Sequence, residues 1–159
     1  MTLDDAAAYQ AVRLRALTTD PLAFRSTLEE ESRLSRDEYA ARLANAENRT
    51  IGAFMEDELV GIGTILRETR TTIRHRGGIV GMYVTAGARG SGAAGGIMER
   101  LIEYARSVGL RTVCLSVEGE NLRARRLYER WGFTEYGRLP RAELHGDQFT
   151  DEVLMMLSL

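Results

Sequence analysis

Lysine is absent from this chain: all 21 basic residues are arginine. The absence excludes the lysine that reaches nucleotide phosphates in a P-loop, and any lysine Schiff base with a carbonyl substrate. Cysteine occurs once, at Cys114. One thiol excludes an internal disulfide and a clustered-thiolate metal site, so no metal is expected. No run of about 18 apolar residues is present, which excludes a membrane-spanning helix. Charge of one sign is nearly lacking too, at a formal net of −2. There is accordingly no general pull toward nucleic acid or anionic lipid. The opening decapeptide, MTLDDAAAYQ, lacks the basic-then-apolar layout of a signal peptide, so a cytoplasmic location is the default expectation.

What is present is an ordinary globular balance, 44% apolar and 28% charged over 159 residues. That length suits one domain, 1–159, burying roughly two thirds of its unfolded surface. No linker, repeat or low-complexity stretch divides it. Apolar and alanine residues at helical spacing predict a helix from Asp4 or Asp5 to Leu17, ended by TTDPLAF at Pro21. Ser35 to Glu38, SRDE, is a capping box that opens a second helix reaching about Asn45. TIGAFMEDELVGIGTIL reads as two strands joined by a turn at Glu56 to Glu58, and Arg67 to Arg76 as a solvated strand end and loop. A strand from about Gly78 to Val84, a glycine-rich loop and a helix from Ser91 to Val108 come next. Then follow a strand at Thr112 to Val117, a helix from Asn121, and short strands near Thr134 to Arg138 and Thr150 to Leu157. The order predicts an α/β fold, a mixed sheet covered by helices, containing one right-handed strand–helix–strand crossover.

The stretch MYVTAGARGSGAAGG, Met82 to Gly96, holds five glycines in fifteen residues. Glycine between a strand and a helix permits positive φ and leaves the first helical N–H groups bare, with the positive end of the helix dipole behind them. Side chains at Gly90 or Gly92 would stand where a phosphate fits, and Arg89 adds positive charge at the lip. The stretch therefore reads as a diphosphate cradle built from Arg89, Gly90, Ser91, Gly92, Ala93, Ala94 and Gly95. A dinucleotide is one ligand open to it. Gly90, Gly92 and Gly95 spell G-x-G-x-x-G, with Glu118 following 23 residues later, near a dinucleotide fingerprint. Yet the motif lies past mid-chain, and only about forty residues follow Glu118 for the remaining βαβ units. A hydrolase elbow fails, because Ser91 is flanked at ±2 by Arg89 and Ala93.

NLRARRLYERWGF places Asn121 and Tyr128 seven residues apart, two turns, on one helical face with Ala124 and Arg125 between them. Alone, Asn121 also serves as an N-cap and Tyr128 as a core aromatic. With the cradle they read as a site. At these residues the chain resembles the GNAT superfamily of N-acetyltransferases. Arg89 to Ala94 resembles its Q/R-x-x-G-x-G/A signature, and LSVEGENLRARRLYERWGF its next strand and helix.

The resemblance implies a mostly antiparallel sheet with a central splayed parallel strand pair and helices on both faces, its first strand reduced to about Met1 to Leu3. It implies acetyl transfer from acetyl-CoA to an amine, and a possible homodimer. Met82, Tyr83 and Val84 would meet the pantetheine arm as an added strand, with Asn121 as a further amide partner. A backbone N–H near Val84 would face the developing oxyanion. Tyr128, protonated at neutral pH, would supply a proton to the leaving thiolate. The family's strand glutamate is not evident, since Gly78 and Gly81 occupy that region. The base is sought among Glu118 first, then His75, His145 and Glu29 to Glu31. Direct attack needs no enzyme nucleophile, so Cys114 reads as a buried mid-strand residue. The acceptor would lie between the first helices and the last strands, lined by Phe24, Tyr39 and Tyr136, with Glu30 and its neighbours drawing a cationic amine. A non-catalytic acyl-CoA sensor is a third reading of the same cradle.

Overall fold

A computed structural model describes residues 1–159. Helices α1 (Ala6–Thr19), α2 (Leu28–Ser32) and α3 (Arg36–Ala44) come first. Strands β1 (Asn48–Met55), β2 (Glu58–Arg67) and β3 (Arg76–Val84) follow. Helix α4 (Ala93–Ser107), strand β4 (Thr112–Glu118), helix α5 (Leu122–Arg130) and strands β5 (Thr134–His145) and β6 (Gln148–Ser158) complete the chain. The six strands form one sheet in the order β1-β2-β3-β4-β6-β5. All neighbours are antiparallel except β3 and β4.

The capping box predicted at Ser35 starts α3: Ser35 Oγ accepts the Glu38 N–H and the Glu38 carboxylate accepts the Ser35 N–H. A second box, unpredicted, opens α2 with Thr27 and Glu30 in the same roles. The short strand expected at Thr134 to Arg138 is more than twice that length. It runs on through an irregularity between Leu139 and Glu143, where Arg141 takes φ +53°. Met1 to Leu3 forms no strand; the Met1 amine donates to the Thr50 carbonyl, and Leu3–Asp5 is a single 3-10 turn. No helix is long and apolar enough to cross a membrane.

Helices cover both faces of the sheet. On one, Ile97, Met98, Leu101, Ile102 and Ala105 repeat at helical spacing down α4 and bury against β1, β2 and β3, in one core with Tyr128 and Phe133. The approach of α4 depends on Gly63 in β2. A Cβ there would strike Met82 Sδ and come within 2.7 Å of Ile97 Cγ2. On the other face α1 and α3 bury Tyr9, Val12, Leu17 and Tyr39 over Leu59, Ile62 and Tyr83. These helices sit over β1 and β2. The C-terminal ends of β3 and β4, near the centre of the sheet, face an open cleft.

Candidate active site

The cleft begins with a parallel pair that fails to zip. β3 and β4 pair over only three positions, Arg76 with Thr112, Gly77 with Val113 and Gly78 with Cys114, and then diverge. Beyond Gly78, β3 changes register against β2 between Ile62 and Thr64, and Gly81 takes φ +64°. A bulge of this kind bends its strand and increases the local twist, which swings Met82 to Val84 away from β4. The Thr85 N–H donates to the Val60 carbonyl at 2.8 Å. Antiparallel alternation therefore turns the N–H and C=O of Val84 away from β2 and into the gap. The Val84 carbonyl is taken by Arg89 Nε at 3.2 Å; the N–H faces the gap.

At the mouth of the gap stands the glycine loop. Gly90 and Gly92 take φ +89° and +93°, a region L side chains rarely adopt, and a Cβ at either would meet open space. The loop is shaped by backbone need, with room left in front of it. The Ser91 N–H donates to the Ala88 carbonyl, the Ala93 N–H to Ser91 Oγ, and the Gly96 N–H to the Gly92 carbonyl. The N–H groups of Gly90, Gly92, Ala94 and Gly95 have no protein acceptor. Four free amides at the N-terminus of a fifteen-residue helix form a nest for an anion with several oxygens. That is the fit expected of a diphosphate, and the loop residues therefore suit the phosphates of coenzyme A.

Helix α5 forms the opposite wall. Asn121 caps it, its Oδ1 accepting the Ala124 N–H at 3.1 Å. Tyr128 is buried at 6% exposure, and burial alone pushes its phenol up to about 12. The hydroxyl makes no hydrogen bond within the protein but is not sealed off among the buried unsatisfied atoms. It opens on the junction of two cavities. The cavity on the loop side, about 430 Å³, is lined by Met82 to Val84, Arg89, Gly90 and Gly92 to Gly95, and by Arg123, Leu127, Arg130 and Trp131 of α5. The other, about 560 Å³, lies between the Leu22–Ser26 segment and the strands, lined by Arg13, Arg25, Val80, Ser116, Glu118, Glu143, Thr150 and Glu152. Phe24, Met82, Asn121, Ala124 and Tyr128 line both.

Several predicted residues do not reach the cleft. The Ser91 hydroxyl turns back onto the Ala88 carbonyl at 2.7 Å. Arg125 binds the Gly119 carbonyl and Glu135, and Tyr136 is exposed and lines neither cavity. Spacing put Arg125 near Asn121, but the arc facing the cleft centres on Ala124, Tyr128 and Trp131. At about 100° per residue Arg125 lies on the far side of Asn121 from that arc. Arg89 lines the cleft with its charge already engaged, its Nη2 2.7 Å from Asp20 Oδ2. His75, His145 and Tyr39 line neither cavity. Cys114 is half-buried in mid-strand, with Arg76 Nη2 3.7 Å from its Sγ.

The second cavity also contains residues that sequence reasoning missed. Glu152, 6% exposed, accepts from Arg25 Nη2 at 2.7 Å and from Ser116 Oγ at 3.0 Å. Burial acts to raise its pKa, but the bonds from Arg25 and Ser116 outweigh it and hold the carboxyl below its ordinary value. Glu143 adds a second contact to Arg25 at 3.4 Å. Arg25 thus ties the segment after α1 to β6 and β5 across the cleft. The legible signal was Glu152 in register with Leu154 and Met156 on one face of the last strand. Behind this cavity Glu31, 4% exposed, accepts from Tyr39 Oη at 2.7 Å, Arg42 at 2.8 Å and Arg13 at 3.3 Å. Arg13 stacks 4.5 Å over the Phe24 ring.

Comparison with known proteins agrees with this geometry. Residues 14–133 match the model of the acetyltransferase (GNAT) family. A mycothiol acetyltransferase of Brachybacterium faecium is 33% identical over 138 residues, 84% of this chain but 39% of that protein. A putative phosphinothricin acetyltransferase of Bacillus subtilis is 28% identical over 76 residues, 47% of each. The chain thus spans less than half the length of these relatives that it matches. Among solved structures, a GNAT-family acetyltransferase of Streptococcus pneumoniae superposes with a TM-score of 0.89 at 24% identity, over 100% of this chain and 96% of that one. A putative acetyltransferase of Salmonella typhimurium, solved with its cofactor acetyl-CoA, gives 0.87 at 18% identity, over 99% and 90%. Those two likenesses establish the fold. The matched span begins inside α1 and ends at Phe133, enclosing the splayed pair, the loop and all of α5, and the chain belongs to the acetyltransferase (GNAT) family.

Proposed function

We propose that this chain moves an acetyl group from acetyl-CoA directly to a primary amine. The observation that carries the reading is one continuous cleft with unlike ends. An amide nest lies at one end, a carboxylate-lined chamber at the other, and a protonated phenol at their junction. Acetyl-CoA, when bound, supplies the acetyl group as an activated thioester.

The protein's residues then have separable tasks. The free amides of Gly90, Gly92, Ala94 and Gly95 hold the diphosphate. The open edge of β3 from Met82 to Val84, with Asn121 opposite, orients the amide-bearing arm. The Val84 N–H, aimed into the gap, stabilises negative charge as it develops on the thioester oxygen; loss of such a donor typically costs about 3 kcal/mol at the transition state. Tyr128 Oη gives its proton to the departing sulfur. A phenol at about 12 stays protonated at neutral pH and so keeps its proton available for the departing thiolate.

Glu118 takes a proton from the incoming ammonium, directly or through a water, and the neutral amine then attacks the thioester carbonyl. Of the four carboxylates lining the acceptor chamber, Glu143 and Glu152 are paired with Arg25, and Glu30 is spent in the α2 capping box. Glu118 has one oxygen on the Glu120 N–H at 3.0 Å and no cationic partner. Those four carboxylates face only Arg13 and Arg25 in the chamber, which favours an acceptor that arrives as a cation. The dinucleotide alternative finds no support in the fold: a single three-residue parallel contact, flanked by antiparallel strands, is not a doubly wound sheet.

The test is an acetyl-CoA-dependent thiol-release assay over a panel of amines. The reading expects release above hydrolysis with at least one amine, and a matching acetylated product. Acetyl-CoA bound tightly with no amine-dependent release from any panel member would instead leave a binding protein without catalysis.

A further inference from the structure

A cleft that holds phosphates needs counter-charge, and the arginines expected to supply it are engaged elsewhere. Arg89 is paired with Asp20 and with the Val84 carbonyl. Arg125 faces Gly119 and Glu135. Two other arginines line the loop-side cavity, Arg123 and Arg130. Both are exposed, and neither makes an ion pair or a hydrogen bond within the protein. They stand seven residues apart on α5, about 10 Å along its axis. Leu127 and the Trp131 indole complete the same stripe, opposite the free amides of the loop. Asp20 is the one acid lining this half of the cleft, and Arg89 neutralises it. The half therefore carries two uncompensated guanidiniums, each able to grip phosphate oxygens through two parallel N–H donors.

We infer that Arg123 and Arg130 bind the coenzyme's phosphates. Through them the chain selects a free CoA thioester over an acyl group carried on a protein-borne phosphopantetheine arm. The inference rests on the acetyl-CoA reading and adds the residues that choose the donor. The arm alone brings one phosphate; coenzyme A brings three phosphate groups, more than the amide nest by itself can neutralise.

Binding, measured by titration calorimetry without any acceptor or turnover, tests it. The ligands are CoA and 4′-phosphopantetheine; the proteins are the parent, R123A/R130A and R123K/R130K, each at two salt concentrations. In the parent, CoA should bind at least tenfold tighter than phosphopantetheine. R123A/R130A should lose roughly tenfold or more in CoA affinity and much of its salt dependence, with phosphopantetheine unchanged. R123K/R130K, which keeps the charge without the fork, should recover part of the loss. An equal gap between the two ligands in parent and R123A/R130A overturns the inference, as does an equal loss for both ligands. A parent that binds neither ligand removes the acetyl-CoA reading itself. A parent that binds CoA tightly, with R123A/R130A indistinguishable from it, removes only the arginines.

Discussion

In the proposed reaction Tyr128 is suited to act as the acid by what it lacks. Its hydroxyl has no protein partner, and burial alone lifts it to about 12, above the ordinary phenol value of about 10. Tyr128→Phe should therefore lower kcat by about 100-fold or more, the usual range for a lost general acid. The Kd for CoA should stay within about threefold, and stability within ~1 kcal/mol, since no hydrogen bond is broken. Calorimetry and thiol release separate the two effects. The sign for pH follows from the direction of the shift. A raised phenol remains neutral as pH climbs, so no descending limb from Tyr128 should appear between pH 7 and 10. Such a limb, if it vanished in the phenylalanine variant, would place the phenol's pKa lower. Glu31 is the contrasting residue. Burial works to raise its pKa, but Tyr39, Arg13 and Arg42 together hold it below the ordinary glutamate value. Glu31→Ala would leave two guanidiniums beside an emptied pocket, and denaturant melts should show a loss of about 3 kcal/mol or more.

At the scale of elements, the loop-to-α4 junction carries the sharpest expectation. Gly92 sits at φ +93° with open space before it. Gly92→Ala should cost roughly 1–2 kcal/mol of stability from the left-handed backbone alone and weaken CoA binding. Gly92→Asp adds a carboxylate against phosphate and should abolish binding; a retained CoA isotherm would show that the loop faces no ligand. Gly63→Ala should destabilise by about 1–3 kcal/mol through overpacking against Ile97 of α4 and Met82 of β3, and the displaced Met82 should weaken CoA binding as well. Much of this level was legible in the residue order. The glycines announced a strand-to-helix turn with bare amides, Ser35 announced the start of α3, and Asn121 and Tyr128 shared a face. What spacing left unresolved was the centre of the arc on α5. A helical wheel says which residues lie together, but the neighbour it packs on decides which side is inside. Arg125 was therefore placed in the cleft while Arg123, Leu127, Arg130 and Trp131 went unnoticed.

For the whole molecule, ligand and proton act on one folding equilibrium. Acetyl-CoA at about 100 times its Kd should add about 2.7 kcal/mol, a rise in Tm of roughly 5–10 °C for a chain of this size, whereas NAD(H) should leave Tm unmoved. Glu31 and Glu152 both have carboxyls held below their ordinary value. The unfolded chain therefore takes up protons first as pH falls. Their contribution is complete above the ordinary value near 4.5 and is lost as pH drops through the lower folded values. A scan of Tm from pH 7 to pH 3 should turn down near pH 4.5, less steeply in Glu31→Gln. By itself the sequence determined what is local: caps, turns, helical faces, the bare-amide loop, and the chemistries that missing lysine and scarce cysteine forbid. These depend on backbone sterics and on neighbours a few residues away. Only the tertiary structure decided that β3 and β4 part after three residues and that Arg25 reaches 127 residues along the chain to Glu152. It also decided that Arg89 is consumed by Asp20, 69 residues before it. Charge partners and cavity walls are set by distance in space, and a linear pattern carries no record of that distance until the sheet has formed.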